Sequence, residues 1–415
     1  MLIRRATLLD GAVVDIRVDE HISDVAPELV SRTGEAVFDA SGGTVIPGLH
    51  DHHLHVYSAA AEMDSVRLAD GLEVLAAAGP GVDGWIRAVG YHESVAGMLD
   101  RDALDAVSPP VPVRVQDRSG VLWTLNSRAL AAVGLPDHPD GRLRSDDSSW
   151  QEALPRRDAP LRAFGELLSS YGVTGVTDAT PGLDQAITGL RQHVHVLGAG
   201  KRILHDDGLD LDELTAWISQ RHGVGLPIAV HCVTAAQLVV TMAALRLTGA
   251  LPGDRIEHAA MVPDDCLTEL TELGVTVVTQ PNFVAERGDQ YRRDVPTDDH
   301  GQLWRVASLL RRGVPLALSS DAPFGRPDPW AVMRAAVQRR TPSGVVLGPG
   351  ECIDPRAALG LFFGSASDPG TARHVAPGQP GDLCVLAAPP QRVLAELDAG
   401  LVALTVIGGE VVFSR

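Results

Sequence analysis

The segment Val45-Ile-Pro-Gly-Leu-His50-Asp-His-His-Leu-His55 runs from an apolar stretch into a cluster of imidazoles. Side chains two apart on a strand share a face, so His53 and His55 project together, and so do His50 and His52. Two neutral imidazoles converging at a strand's end form a two-point chelate for zinc or a related ion. A solvated His-rich turn would carry the same letters, and spacing alone does not choose between the two pairs. Three later segments end in the same way. Pro227-Ile-Ala-Val runs into His231, Arg255-Ile-Glu into His258, and Pro315-Leu-Ala-Leu-Ser-Ser into Asp321. A lone His at a strand end is usually a satisfied structural residue, but four metal-competent endings in one chain point to a shared centre. Gln192-His193-Val194-His195 repeats the His-x-His spacing at the entry of its strand, and is read as structural.

Such residues need parallel strands to bring their ends together. Seven apolar runs offer them, at 44–55, 172–180, 194–204, 227–233, 255–260, 275–282 and 314–323. Two more, 85–91 and 111–117, compete for the remaining place. Helices are expected at Leu211–His222, Ala235–Leu247, Asp264–Leu273 and Leu303–Arg312. Continuous apolar runs alternating with helices are the pattern of βαβ units around a sheet buried on both faces. Barrel enzymes keep their chemistry at the C-terminal ends of such strands. The fold expected is therefore α/β, a (β/α)₈ TIM-like barrel over 48–372. Short strand-like segments at 1–47 and 373–415 are expected to pack as a small β-sandwich domain built from both termini. The Gly- and Pro-rich 56–170 region is read as an elaborated loop system.

The 415 residues suit one large and one small domain, and 45% apolar with 21% charged residues is an ordinary globular composition. Aromatics are only 4% while Gly (42) and Pro (28) abound, which fits a Val/Leu/Ala/Ile core with many tight turns. The net charge of −18 argues against nucleic acid as a partner, since phosphate binding needs a basic surface. Cys232, Cys266, Cys352 and Cys384 are scattered, with no CxxC pair, which suits a reducing compartment. No apolar run follows the two arginines before Asp10, and none is long enough to span a bilayer. A cytoplasmic location and no membrane partner are expected; a homo-oligomer is left open.

PGLHDHHLH resembles the opening motif of the amidohydrolase superfamily. WIRAVGYHES (85–94), PVPVRVQDRSGVLWTLNSRALAAVGL (110–135), GVTGVTDA (172–179), GKRILHDDG (200–208), RIEHAAMV (255–262), TQPNF (279–283) and SDAPFGRPDPW (320–330) resemble its YtcJ-like branch. The resemblance covers nearly the whole chain. It implies His53 and His55 as metal ligands of the first strand, with His231, His258 and Asp321 on the fifth, sixth and eighth. Lys201 matches the fourth-strand lysine that carries a metal-bridging carbamate in many relatives. A divalent metal is implied, zinc being the expected ion, in one or two copies. Where the branch often has a His after Gly120, this chain has Val121.

The implied activity is hydrolysis of a non-peptide carbon–nitrogen bond, amide in type, in a small-molecule substrate by a metal-activated water. Asp321 would move the proton from water to the leaving nitrogen, and His258 or His231 would stabilise the oxyanion. Trp123, Asn126 and Gln280 are candidates for the substrate rim, although Trp123 can equally be packing and Asn126 a helix N-cap. The segment 282–294 is read as a loop, either a lid offering Arg287 or Tyr291 or a solvated charged turn. A deaminase or a lactone/ester hydrolase is the alternative; Thr234 stands where many deaminases of the superfamily have a glutamate. A non-catalytic scaffold is least favoured, because every ligand position is filled.

Overall fold

A computed structural model describes residues 1–68, 71–118, 120, 122–144, 149–155 and 158–415. They form a mixed α/β fold whose chain divides into two compact units, Met1–His55 with Gly165–Arg415, and Val56–Phe164.

The larger unit carries eight parallel strands: β1 (Leu49–Leu54), β2 (Val173–Asp178), β3 (His193–Val196), β4 (Lys201–Ile203), β5 (Ala229–Cys232), β6 (Arg255–His258), β7 (Thr276–Thr279) and β8 (Leu316–Leu318). They pair in the order β3-β2-β1 and, separately, β4-β5-β6-β7-β8. Every residue of β1, β2, β6 and β8 is buried, as expected of strands covered on both faces. The run 194–204, read as one strand, is two. A 3₁₀ turn at Gly198–Gly200 separates them, and a Cβ on Gly198 (φ +49°) would lie 2.6 Å from the Leu183 carbonyl oxygen. That split supplies the eighth strand.

Helices return the chain between strands: α1 (Leu211–His222), α2 (Ala235–Thr248), α3 (Cys266–Leu273), α4 (Asn282–Asp294) and α5 (Ala307–Arg312). Their starts follow side-chain chemistry. Asp210 accepts from the Glu213 amide, and Thr234 with Gln237 forms a reciprocal capping box. The segment 282–294 is a helix, not the loop expected. Its low hydrophobicity hides a buried face of Asn282, Phe283, Val284 and Gly288, and Gly288 packs so closely on Thr341 that a Cβ would lie 2.6 Å from it. Arg287 covers the Phe283 ring at 4.3 Å and donates to the Phe324 carbonyl.

The terminal segments form one mixed eight-stranded sheet, continuous in hydrogen bonding. Thr44–Pro47 pairs antiparallel with Leu383–Leu386 and so joins the two chain ends. Ile3, Ile16, Ile22, Val45, Leu383, Val385, Leu404 and Val406 share a single buried cluster.

The Val56–Phe164 unit is a folded body with two apolar clusters of its own, where turn content suggested loops. Its sheet runs Arg142–Arg144, Leu122–Leu125, Val113–Asp117, Ile86–Tyr91, Val66–Arg67. The two competing barrel candidates therefore pair with each other here, in parallel. Val121 lies outside the described residues. Among the described residues no helix is long and apolar enough to cross a membrane.

Candidate metal centre

β1 is fully buried and, with His55 just past its end, delivers imidazoles to two different neighbourhoods. His50 Nε2 lies 2.9 Å from Thr177 Oγ1, and its ring stacks on His52 at 4.6 Å. His53 and His55 instead meet Asp321, whose Oδ1 is 3.6 Å from Nε2 of each. Among the described residues, ligand atoms of His53, His55 and Asp321 all fall within 4.8 Å of one another.

The other strand ends extend this group. His258 Nδ1 lies 3.8 Å from Asp321 Oδ2, and its ring sits 4.7 Å from His53 and 4.5 Å from His231. Lys201, at the start of β4 and only 6% exposed, places Nζ 3.5 Å from His53 Nε2. His258 (φ +71°) and Asp321 (φ +55°) both occupy the left-handed region that non-glycine residues avoid. Strain of this kind persists only where surrounding structure holds it, and here it turns two strand-end side chains inward.

The electrostatics of this donor set suit a cation. Burial drives His53 and His258 well below the usual imidazole range, and His55 and His231 down to about 3, so all four stay neutral. Burial also pushes the Asp321 carboxyl far upward, and the Lys201 ammonium downward, although each softens the other's shift. Asp321 Oδ1 is buried without a hydrogen-bond partner among the described residues. A buried acceptor facing two neutral imidazoles is costly alone and fits a divalent cation.

Residues behind the imidazoles complete the site, and most escaped the sequence reading. Glu257, fully buried, accepts from His53 Nδ1. Arg255 Nε holds Glu257 Oε1 at 2.7 Å. Asp51 accepts from the Ser320 amide at 3.1 Å, tying β1 to the segment that carries Asp321. The only signal was two opposite charges two apart in the apolar run Arg255-Ile-Glu-His258, which places both on one face.

Three rim candidates take other places. Gln280 is fully buried behind His258, its Oε1 2.9 Å from His258 Nδ1 and its Nε2 2.8 Å from Ser319 Oγ. Asn126 caps the helix Ser127–Ala132; its oxygen accepts from the Val113 and Ala129 amides and its nitrogen donates to Val111 O and Ser108 Oγ. All its polar capacity is spent inside its own unit, leaving nothing for a substrate. Trp123 is 8% exposed in an apolar cluster, edge-on to Trp150, with Arg87 and Arg114 over its ring. The second His-x-His is set apart: His193 is mostly exposed and pairs with Asp382 at 3.1 Å.

The amidohydrolase family model matches residues 36–205 and 198–413, nearly the whole chain. The chain belongs to the amidohydrolase family. Within it the chain is YtcJ-like. It is 24% identical over 222 residues to YtcJ of Bacillus subtilis (strain 168), an amidohydrolase by name, covering 51% of this chain and 41% of that protein. It is 24% identical over 441 residues to an N-substituted formamide deformylase of Arthrobacter pascens, covering 79% of each. Among solved structures, an uncharacterized metal-dependent hydrolase from Pyrococcus horikoshii OT3 superposes with a TM-score of 0.74 at 19% identity, over 94% of this chain and 97% of the other. A 5-methylcytosine deaminase from Klebsiella pneumoniae does so with a TM-score of 0.61 at 14% identity, over 100% and 98%. These two likenesses establish fold.

Proposed function

We propose that this amidohydrolase cleaves a non-peptide, amide-type carbon–nitrogen bond of a small molecule, with a divalent cation held by His53, His55 and Asp321. The observation that carries the reading is the convergence of those three side chains around an unpartnered buried carboxylate oxygen. His231, His258 and Lys201 complete the donor set, Lys201 being the residue placed to carry a carbamate if two ions bind. Neutral imidazoles with one carboxylate suit zinc. The two parallel sheets are proposed to close as an eight-stranded barrel, and the terminal sheet to fold over its shared core as a sandwich. The Asp321 amide donating to the His53 carbonyl at 2.9 Å, between the ends of β8 and β1, supports closure.

A cation bound here would supply Lewis acidity, polarising a carbonyl and lowering the pKa of water from 15.7 towards about 7. The chain's own groups do the rest. Asp321, whose basicity burial raises, accepts the proton of the attacking water and returns it to the leaving nitrogen. Gln280 accepts from His258 Nδ1 and so leaves the other nitrogen of that ring as a lone pair for the cation, while His231, where it is not committed to the cation, donates to the developing oxyanion. The surrounding burial excludes bulk water from this exchange. The relative that deformylates N-substituted formamides supports an amide-type substrate. The deaminase reading is weaker. Thr234, where many deaminases of the superfamily have a glutamate, is committed to capping α2 and to donating to Asp206.

The test is zinc-loaded protein against a panel of N-substituted formamides, cyclic amides, lactones and aminopyrimidines, with Asp321→Asn as control. Amide cleavage is expected, with turnover lost by roughly 10²–10⁴-fold in the variant. Unchanged hydrolysis in Asp321→Asn, or ammonia release alone, would overturn the assignment.

A further inference from the structure

We infer that Glu257 is a positioning residue that sets the tautomer of His53, and that Arg255 holds Glu257 in the orientation that does so. The consequence for cation binding rests on the site proposed above; the tautomer itself does not.

Glu257 sits one residue before His258 on β6, with no solvent exposure. Its two oxygens are divided unequally between two partners. Oε2 lies against His53 Nδ1, while Oε1 accepts from Arg255 Nε at 2.7 Å. Arg255 Nη2 reaches Oε2 at 3.2 Å and donates to the His52 carbonyl at 2.6 Å, so the guanidinium is pinned to β1 as well as to its own strand. A carboxylate only accepts, so the ring proton of His53 belongs on Nδ1. Nε2 is then left with its lone pair, and Nε2 is the atom that faces Lys201 Nζ at 3.5 Å and Asp321 Oδ1 at 3.6 Å. The lysine donates to it, which agrees with an unprotonated Nε2.

An ordinary core ion pair would be a poor explanation for this group. Buried pairs gain little over apolar residues of the same volume unless every donor is satisfied. Here Arg255 Nη1 is buried with no hydrogen-bond partner among the described residues. The pair is arranged around the imidazole rather than around its own saturation. One tetrapeptide, Arg255-Ile-Glu-His258, thus supplies a site imidazole and orients another contributed by β1.

The isosteric variant Glu257→Gln exposes the arrangement. Its amide has one accepting oxygen, and the guanidinium, all donors, claims it. The amide NH₂ then faces His53 Nδ1, and the ring proton moves to Nε2. Imidazole ¹⁵N NMR of metal-free protein, with His53 assigned through His53→Asn, reads this directly. The expected result is an Nδ1–H to Nε2–H switch, with zinc affinity in a chelator competition weakened roughly 10–100-fold. Adding Arg255→Met frees the amide oxygen to turn back to His53, so the double variant should recover the wild-type tautomer and most of the affinity. A purely structural role predicts no such recovery. An unchanged His53 tautomer in Glu257→Gln overturns the inference, whatever the affinity does. Should the single variant not fold, Arg255→Met/Glu257→Gln against Arg255→Met/Glu257→Leu makes the same comparison without an unpaired buried cation. Only the glutamine version should then keep Nδ1–H, and equal tautomers in the two would refute the role. If wild-type protein binds no zinc, the cation site is wrong, and the NMR result still decides Glu257.

Discussion

Replacing Gln280 by leucine separates a side chain that holds His258 from one that touches substrate. The volumes are close, so the cavity contribution is small. The loss is polar. The substitution leaves His258 Nδ1 and Ser319 Oγ without the partners they have at 2.9 and 2.8 Å. A buried group stripped of its partner costs about 1–3 kcal/mol, and the serine oxygen loses only a donor while its own hydroxyl stays free to donate, so about 2–4 kcal/mol of stability should go. Gln280→Glu keeps an acceptor for Nδ1 and should recover part of that loss. Urea unfolding of metal-free protein, followed by two probes with coincident transitions, gives the difference in free energy. Kinetics give the second half of the answer. A freed His258 ring loses its aim at the reacting centre, so kcat should fall while KM barely moves. A rim residue would do the reverse, raising KM with kcat intact. A stability change under about 0.5 kcal/mol together with a raised KM would return Gln280 to the rim and refute its role behind His258.

Two further outcomes follow from the same geometry. His53→Asn should abolish zinc retention measured by elemental analysis, whereas His50→Asn, on the Thr177 side of β1, should keep it; the opposite pattern would exchange the two faces. Burial raises the Asp321 carboxyl to about 8, and a cation favours its ionised form, so zinc affinity should rise with pH, with about one proton released per ion near neutrality. The sign for metal-free stability is the reverse. The folded state holds its proton above the unfolded pKa of about 4, so stability falls as pH climbs from there towards 8, and zinc should flatten that slope. Calorimetry in buffers of different ionisation enthalpy, with melting temperatures across the range, checks both; pH-independent affinity would remove the carboxyl from the site.

The converging side chains were legible because strand ends advertise them. An apolar run that stops at His231, His258 or Asp321 has no reason to place a polar group there unless something meets it. The register of β1 was not legible from alternation, since His50/His52 and His53/His55 satisfy it equally; family likeness was needed to choose. The eighth strand was hidden because Val194–Leu204 reads as one apolar run, and only the left-handed Gly198 shows where it breaks. Helix α4 was hidden for the opposite reason. Its charged outer face outweighs four buried residues in any average over the segment.

The supporting residues failed to declare themselves for a more general reason. Gln280 and Asn126 both stand at the ends of strands near polar neighbours, and both looked like substrate contacts. One orients an imidazole and the other caps a helix. What distinguishes them is the direction of two hydrogen bonds, and a linear sequence carries residue type without direction. Glu257 is the sharper instance. A glutamate in a buried strand beside an arginine reads as a neutral core pair, and the pair does bond to itself at 2.7 Å. Its second oxygen, turned towards a histidine 204 positions away in the chain, is what gives it a bearing on the site. A ligand must present a particular atom, so it sits where the backbone delivers it. A supporting group needs only to reach that ligand's far side, from any strand adjacent in space, and so leaves no fixed spacing behind.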